Sequence, residues 1–201
     1  MTQINSLYRL TTDDVERAAT VLTDAFIDYP AFRYLFPDIN DRNEKLRHVM
    51  RFFLKCGLLH GEVIAPTKNI ECVSIWYKSI DLNIGLNSLL KAGLISTIFN
   101  LNIKSFIRFK KLGDAKRINR DLLLDKKYYF LDVIGTNPSF EKQGYARLLI
   151  EKILEKIDKE RLSCFLETSD RKNINYYHKY GFTLLSTYSH DGLESYCMIR
   201  E

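Results

Sequence analysis

Hydrophobic positions along this chain change period several times, and each change marks an element. Leu7 to Leu10 reads as a short first strand. It leads into Thr11-Thr12-Asp13-Asp14, where a hydroxyl cap with carboxylates in the first turn starts a helix whose apolar face is Val15, Ala18, Ala19, Leu22, Ala25 and Phe26. After Asn40-Asp41, Leu46, Val49, Met50, Phe53 and Leu54 recur at helical spacing, and this helix should stop near Gly57 or Gly61. Two strands, Glu62 to Ala65 and Ile70 to Tyr77, form a hairpin across Pro66-Thr67-Lys68-Asn69. From Leu82 to Lys127 the period is helical, with Gly85, Gly93 and Gly113 as breaks between two or three helices.

The second half alternates more sharply. The apolar run Phe130-Leu131-Asp132-Val133-Ile134-Gly135-Thr136 is a strand, and Asn137-Pro138 ends it. Beyond Gln143-Gly144-Tyr145-Ala146 a helix carries Leu149, Ile153 and Ile157 in one row and Ile150 and Leu154 beside it. A strand from Ser163 to Thr168, a short helix from Arg171 to Tyr180, and strands from Phe182 to Ser189 and Glu194 to Ile199 complete the order, with His190-Asp191-Gly192 closing the last hairpin. Such an order predicts one α/β domain over residues 1–201, a sheet with helices on both faces.

Composition narrows this little. The 201 residues are 46% hydrophobic, enough for a core, and no repeat or linker interrupts them. Cys56, Cys72, Cys164 and Cys197 are far apart, with no metal-ligand spacing, so we expect buried thiols, a reducing, cytoplasmic setting and no metal. Thr2-Gln3-Ile4-Asn5-Ser6 has no leader pattern, and no apolar run is long enough for a membrane span. A net charge of +5 mildly favours anionic ligands.

The candidate chemistry begins at the glycine turn. A turn that opens a helix leaves several backbone N–H groups unpaired at the positive end of the macrodipole, which suits a pyrophosphate. Many helices begin with glycine for steric reasons alone, so the turn gains meaning only beside Leu166-Glu167-Thr168-Ser169, Asn173 and Tyr177-His178-Lys179-Tyr180-Gly181-Phe182.

Together, Glu141-x-x-Gly144-x-Ala146 and Tyr177-x-x-x-Gly181-Phe182 resemble the two motifs of the GNAT superfamily of acyl-CoA N-acyltransferases. Leu-Glu-Thr-Ser at 166–169, Asp28-Tyr29-Pro30 and Cys197-Met198-x-Arg200 extend the resemblance toward puromycin N-acetyltransferase-like proteins. It implies a GNAT fold: a mixed, mostly antiparallel sheet whose fourth and fifth strands splay apart, with acetyl-CoA in the gap. By that resemblance Ile134, Gly135 and Thr136 run beside the pantetheine arm. The amides of Lys142, Gln143, Gly144, Tyr145, Ala146 and Arg147 hold the pyrophosphate, and Asn173 touches the far side of the arm. Tyr177 faces the thioester sulfur and protonates the leaving thiolate; the plainer reading is an aromatic wedged between helix and sheet. Glu141 departs from the family's Gln or Arg and places a carboxylate near the expected phosphates.

An acceptor amine must lose a proton before it attacks, so a carboxylate or a water chain is needed beside it. Glu167 is the first candidate. Asp132 is the second, and strict alternation puts it on one face with Ile134 and Thr136; His178 points elsewhere on its helix. For the acceptor pocket, Phe26 and Tyr29 in the aromatic cluster after the first helix, and Trp76 at the hairpin end, are candidate walls, although such clusters are often plain core. Seven bases between Lys104 and Arg120 interleave with Phe106, Ile107, Phe109 and Leu112 and read as an amphipathic helix with a solvated basic face rather than a nucleic-acid or membrane element. The expectation is therefore direct acetyl transfer to a small primary amine, by a monomer or homodimer with no nucleic-acid or membrane partner. A peptide N-acetyltransferase and a non-catalytic CoA-binding module are the alternatives.

Overall fold

A computed structural model describes residues 7–123 and 127–201 of the chain. Thr2 to Ser6, whose pattern argues against a leader, and residues 124–126, at the end of the middle helical segment, lie outside them. Seven strands make one sheet: β1 Tyr8–Arg9, β2 Glu62–Ala65, β3 Cys72–Lys78, β4 Tyr128–Thr136, β5 Ser163–Thr168, β6 Thr183–His190 and β7 Leu193–Arg200, in the spatial order β1-β2-β3-β4-β5-β7-β6. Every neighbouring pair is antiparallel except β4 and β5, which run parallel. This is the expected GNAT fold.

The helices cover both faces. On one side lie α1 Val15–Phe26, α2 Pro30–Leu35 and α3 Ile39–His60. Ala18, Ala19 and Leu22 of α1 and Leu46, Val49 and Met50 of α3 join Val73, Ile75 and Phe165 of the sheet in the larger core. Gly57 does not end α3; Gly61 does. A Cβ on Gly57 would meet Ile75 Cγ2 and Val63 Cγ2 at 2.7 Å, so the missing side chain lets the helix lie directly on the sheet. On the other side α7 Tyr145–Glu160 buries Leu149, Ile150, Ile153, Leu154 and Ile157, the rows the sequence spacing marked, and α8 Lys172–His178 packs beside it.

The middle segment holds three helices, α4 Leu86–Lys91, α5 Leu94–Asn100 and α6 Ile103–Leu123. Gly85 and Gly93 cap α4 and α5, but Gly113 lies inside α6 instead of breaking it. A single helical glycine costs only about 1 kcal/mol relative to alanine, which the packing of a long helix can absorb. The hairpin turn is also longer than the sequence suggests: Ile70 takes a positive φ of 60° within it, and β3 starts at Cys72.

Two irregularities of β4 shape the site. Pairing with β5 runs from Tyr128↔Ser163 to Leu131↔Leu166 and stops, leaving Asp132–Thr136 paired only to β3. In the same place the β3 register jumps from Trp76↔Leu131 to Ile75↔Val133, so Asp132 is the extra residue of a β-bulge. The bulge corrects the strict alternation. Tyr128, Phe130 and Val133 face the core under α1 and α3, whereas Tyr129, Leu131 and Ile134 face the core under α7. Asp132 therefore shares the first face with Phe130, not the second with Ile134 and Thr136.

Candidate active site

Where β4 leaves β5, the sheet opens into a slot that reaches both of its faces. A cavity of about 270 Å³ occupies it, lined by Asp132 and Ile134 of β4, Glu167 and Thr168 of β5, Asn173 and Tyr177 of α8, and an apolar wall that includes Phe26, Tyr29, Phe53 and Phe109. Glu167 shows how the slot works. Its side chain is only 2% exposed while the residue as a whole is half-buried, so the part that opens to solvent is main chain no longer paired to β4.

Two carboxylates meet this cavity. Glu167 Oε2 accepts a hydrogen bond from Tyr188 Oη at 3.1 Å and lies 3.8 Å from Lys116 Nζ, while Oε1 is buried with no hydrogen-bond partner among the described residues. Burial raises its pKa, Lys116 and the Tyr188 bond oppose the rise, and the Asp132 charge adds to it. Asp132 is also raised by burial, against the pull of Lys116 and Arg120. Burial thus disfavours the charged form of both carboxyls and raises their affinity for a proton.

Tyr177 enters from the opposite face. Its ring is buried among the α7-side core and stands edge-on to Tyr176 and Phe182. No hydrogen-bond partner of its hydroxyl occurs among the described residues. Burial, followed by the neighbouring Tyr29, Tyr176, Cys164 and Cys72, pushes its pKa far upward, so the phenol keeps its proton. Gly181, at φ 83°, turns the chain out of α8 and seats Phe182, 1% exposed, against it. Beside the slot Thr168 Oγ1 is the hub of a small network: Asn173 Nδ2 donates to it at 2.9 Å, and Tyr29 Oη bonds it at 2.9 Å while accepting from the Ser169 amide at 2.6 Å. The network ties the end of β5 to the segment between α1 and α2.

A second concavity lies at the other end of the splayed strand, between the glycine turn and α8. Thr136, Lys142, Gly144, Tyr145, Ala146 and Arg147 line it from one side, and Tyr176, Lys179 and Tyr180 from the other. Lys142 (φ 60°) and Gly144 (φ 88°) are both left-handed, which turns successive amides the same way. The first main-chain bond across the turn into α7 is Leu148 N–H to Gly144 O, and the amides from Lys142 to Arg147 have no backbone acceptor among the described residues. Those uncommitted donors fit the diphosphate of a CoA, and nothing crowds them: a Cβ on Gly144 would meet no atom within 4 Å.

Most of the sequence candidates therefore gather at the two ends of one slot. Gly135 lies between them with its Cα packed on Phe26, Ala25 and Leu22. Gln143 is off the cavity wall, its amide turned back to Ser139 O at 3.4 Å. Trp76 stays away from the pocket: it is 1% exposed in the α7-side core, and its indole donates to Ser74 Oγ at 2.8 Å. Glu141 is exposed and absent from either lining. Sequence reading missed the α6 wall. Phe109, Leu112, Gly113, Lys116, Arg117 and Arg120 line the cavity at helical spacing, a stripe that period 3.6 could have revealed within the basic run.

The fold thus carries a cavity with two buried carboxylates and, at the other end of the splayed strand, a glycine turn with uncommitted amides. A model of the acetyltransferase (GNAT) family matches residues 98–182, the stretch that carries both motifs. The chain is 27% identical over 183 residues to an uncharacterized N-acetyltransferase of Schizosaccharomyces pombe, covering 87% of this chain and 72% of that protein. The crystal structure of histone acetyltransferase HPA2 and related acetyltransferase from Corynebacterium glutamicum superposes with a TM-score of 0.70 at 16% identity, covering 97% of this chain and 94% of the other. The C-terminal condensation domain of Ebony in complex with beta-alanyl-dopamine gives a TM-score of 0.66 at 10% identity, covering 98% of each. Over the matched stretch the chain is similar to the GNAT family of acetyltransferases, and together with the yeast relative this similarity supports an N-acetyltransferase.

Proposed function

We propose that this N-acetyltransferase moves the acetyl group of acetyl-CoA directly to the primary amine of a small, ring-bearing molecule, an aminonucleoside or similar compound being the class suggested by the puromycin N-acetyltransferase-like motifs. The observation that carries the small-molecule reading is the cavity itself: about 270 Å³, walled by aromatic side chains and roofed by α6, it suits a compact acceptor rather than an extended peptide.

In this reading the amides of Lys142 to Arg147 bind the diphosphate, and the unpaired edge of β4 from Ile134 to Thr136 orients the pantetheine arm. Bound acetyl-CoA supplies an activated acetyl thioester. Glu167, through its unpartnered Oε1, takes the proton that the acceptor ammonium must lose, with Asp132 as the second carboxylate in reach of the same cavity. Tyr177 holds a proton at Oη for the departing thiolate. Direct transfer is favoured because all four thiols are buried and pushed upward by burial, Cys56 and Cys72 to about 12 and Cys197 to about 11, leaving no thiolate nucleophile at neutral pH.

The test is thiol release from acetyl-CoA across a panel of small aromatic amines, aminonucleosides and amino-terminal peptides. Turnover with small amines and none with peptides is expected. Turnover with peptides alone would replace this reading with a peptide acetyltransferase, and no binding of acetyl-CoA by calorimetry would remove the catalytic reading altogether.

A further inference from the structure

The three helices between β3 and β4 expose a surface that acetyl transfer does not use. Each presents an outward i,i+4 pair of large apolar residues: Leu86 and Leu90 on α4, Ile95 and Phe99 on α5, Ile103 and Ile107 on α6. Phe99 is 84% exposed, Ile103 70% and Leu86 64%. These are not core residues caught at an edge, because each helix already has a separate inward set. Leu89 of α4, Leu94 of α5 and Phe109 of α6 pack on the same cluster around Phe52 and Cys56 of α3, and Phe109 stacks on Phe53 with centroids 6.0 Å apart. The inward residues of the three helices share one support, and the exposed pairs lie outside it.

Charge points to the occupant. From Leu82 to Gly113 the sequence has five bases, Lys91, Lys104, Arg108, Lys110 and Lys111, and no acid. Lys91, Lys104 and Lys111 are exposed beside the apolar pairs, and Lys111 continues the Ile103–Ile107 row by one further turn. We propose that this face docks on an anionic lipid surface, the apolar pairs entering the headgroup boundary while the lysines meet acidic headgroups. A second copy of the chain fits less well, since a two-fold interface would set these lysines against their own copies. Nucleic acid fits less well too, because five of the six exposed side chains are aliphatic and offer no stacking face. Among the described residues no helix is long and apolar enough to cross a membrane, so the contact is peripheral.

The proposal goes beyond acetyl transfer and is tested without it. The full chain is sedimented with vesicles of phosphatidylcholine alone and with vesicles that also contain phosphatidylglycerol. Binding to the acidic vesicles only, weakened by salt, is expected. The double variant Phe99→Glu, Ile103→Glu changes exposed side chains, so it should fold, which circular dichroism checks, and bind about tenfold or more weakly. Lys104→Glu with Lys111→Glu should do the same. Absence of the wild type from the acidic vesicle pellet, or equal sedimentation of wild type and both variants, would overturn the proposal. So would a wild-type dimer by light scattering that Phe99→Glu dissociates.

Discussion

Replacing Tyr177 with phenylalanine separates the two readings of that residue, proton donor or structural wedge. The substitution removes one oxygen and leaves the ring that packs on Tyr176 and Phe182. With no hydrogen-bond partner of the hydroxyl among the described residues, no buried partner is orphaned. A lost hydrogen bond would leave an unsatisfied group and cost about 1–3 kcal/mol; here the change in stability should stay within about 0.5 kcal/mol. The phenol holds its proton because burial raises its pKa, so at neutral pH it is a stocked donor. Removing a positioned general acid typically lowers turnover by about 10²-fold to 10⁴-fold. Urea unfolding, calorimetry with acetyl-CoA and the rate of thiol release measure the three quantities. The expected result is unchanged unfolding, unchanged acetyl-CoA affinity and a fall of about 10² or more in kcat. A kcat within twofold of wild type would refute the donor role, and a stability loss of several kcal/mol would return Tyr177 to the wedge reading.

Further outcomes follow from the same geometry. Glu167→Gln and Asp132→Asn should each lower turnover, Glu167→Gln by about 10²-fold. Because burial raises both carboxyl pKa values in the fold, the charged forms are disfavoured there; the stability of the neutral form is present below the unfolded value near ~4 and is lost as pH rises through the folded one. Thermal unfolding should therefore find both variants more stable than wild type near neutral pH and equal to it at low pH, whereas a variant less stable at neutral pH contradicts the assigned shift. Gly144→Ala forces a side chain into φ 88° and should cost about 1 kcal/mol and weaken acetyl-CoA binding without any steric clash. Gly57→Ala should destabilise by about 1–3 kcal/mol, since contacts of 2.7 Å to Ile75 and Val63 outweigh the better helix propensity of alanine. Glu141→Gln should change acetyl-CoA affinity by no more than about twofold, since the exposed carboxylate lines neither cavity and is screened by salt.

The periodic elements could be read from the chain because their cause is local. The buried rows of α7 are written in residue spacing, and the two motifs carried the slot's ends. What escaped were features whose cause is a distant partner. Gly57 looks like a stop until Ile75 and Val63 are seen to press on it, and Gly113 looks like a break until α6 is seen to run on through it. Trp76 reads as a pocket wall because sequence marks an aromatic at a strand end without saying which face of the sheet it joins. Lys116, Arg117 and Arg120 read as solvated because charge suggests water, yet their helix lies across the cavity.

The bulge at Asp132 joins these strands of argument. Without it β4 would keep one parity, and Ile134 and Thr136 would share the α1 and α3 side of the sheet with Phe130 and Asp132. The extra residue leaves Asp132 toward Lys116 and Arg120 and turns Ile134 and Thr136 to the opposite side of the sheet. It occurs one residue after the last β4–β5 pair, so the strand changes parity where it parts from its neighbour. The irregularity thus coincides with the start of the backbone unpaired to β5 and sets the residues after Asp132 toward the α7 side, from which Tyr177 lines the cavity. In the proposed reading Tyr177 is the acid on one face and Glu167 and Asp132 are the bases on the other, proton donor and proton acceptor on opposite sides of the reacting carbon.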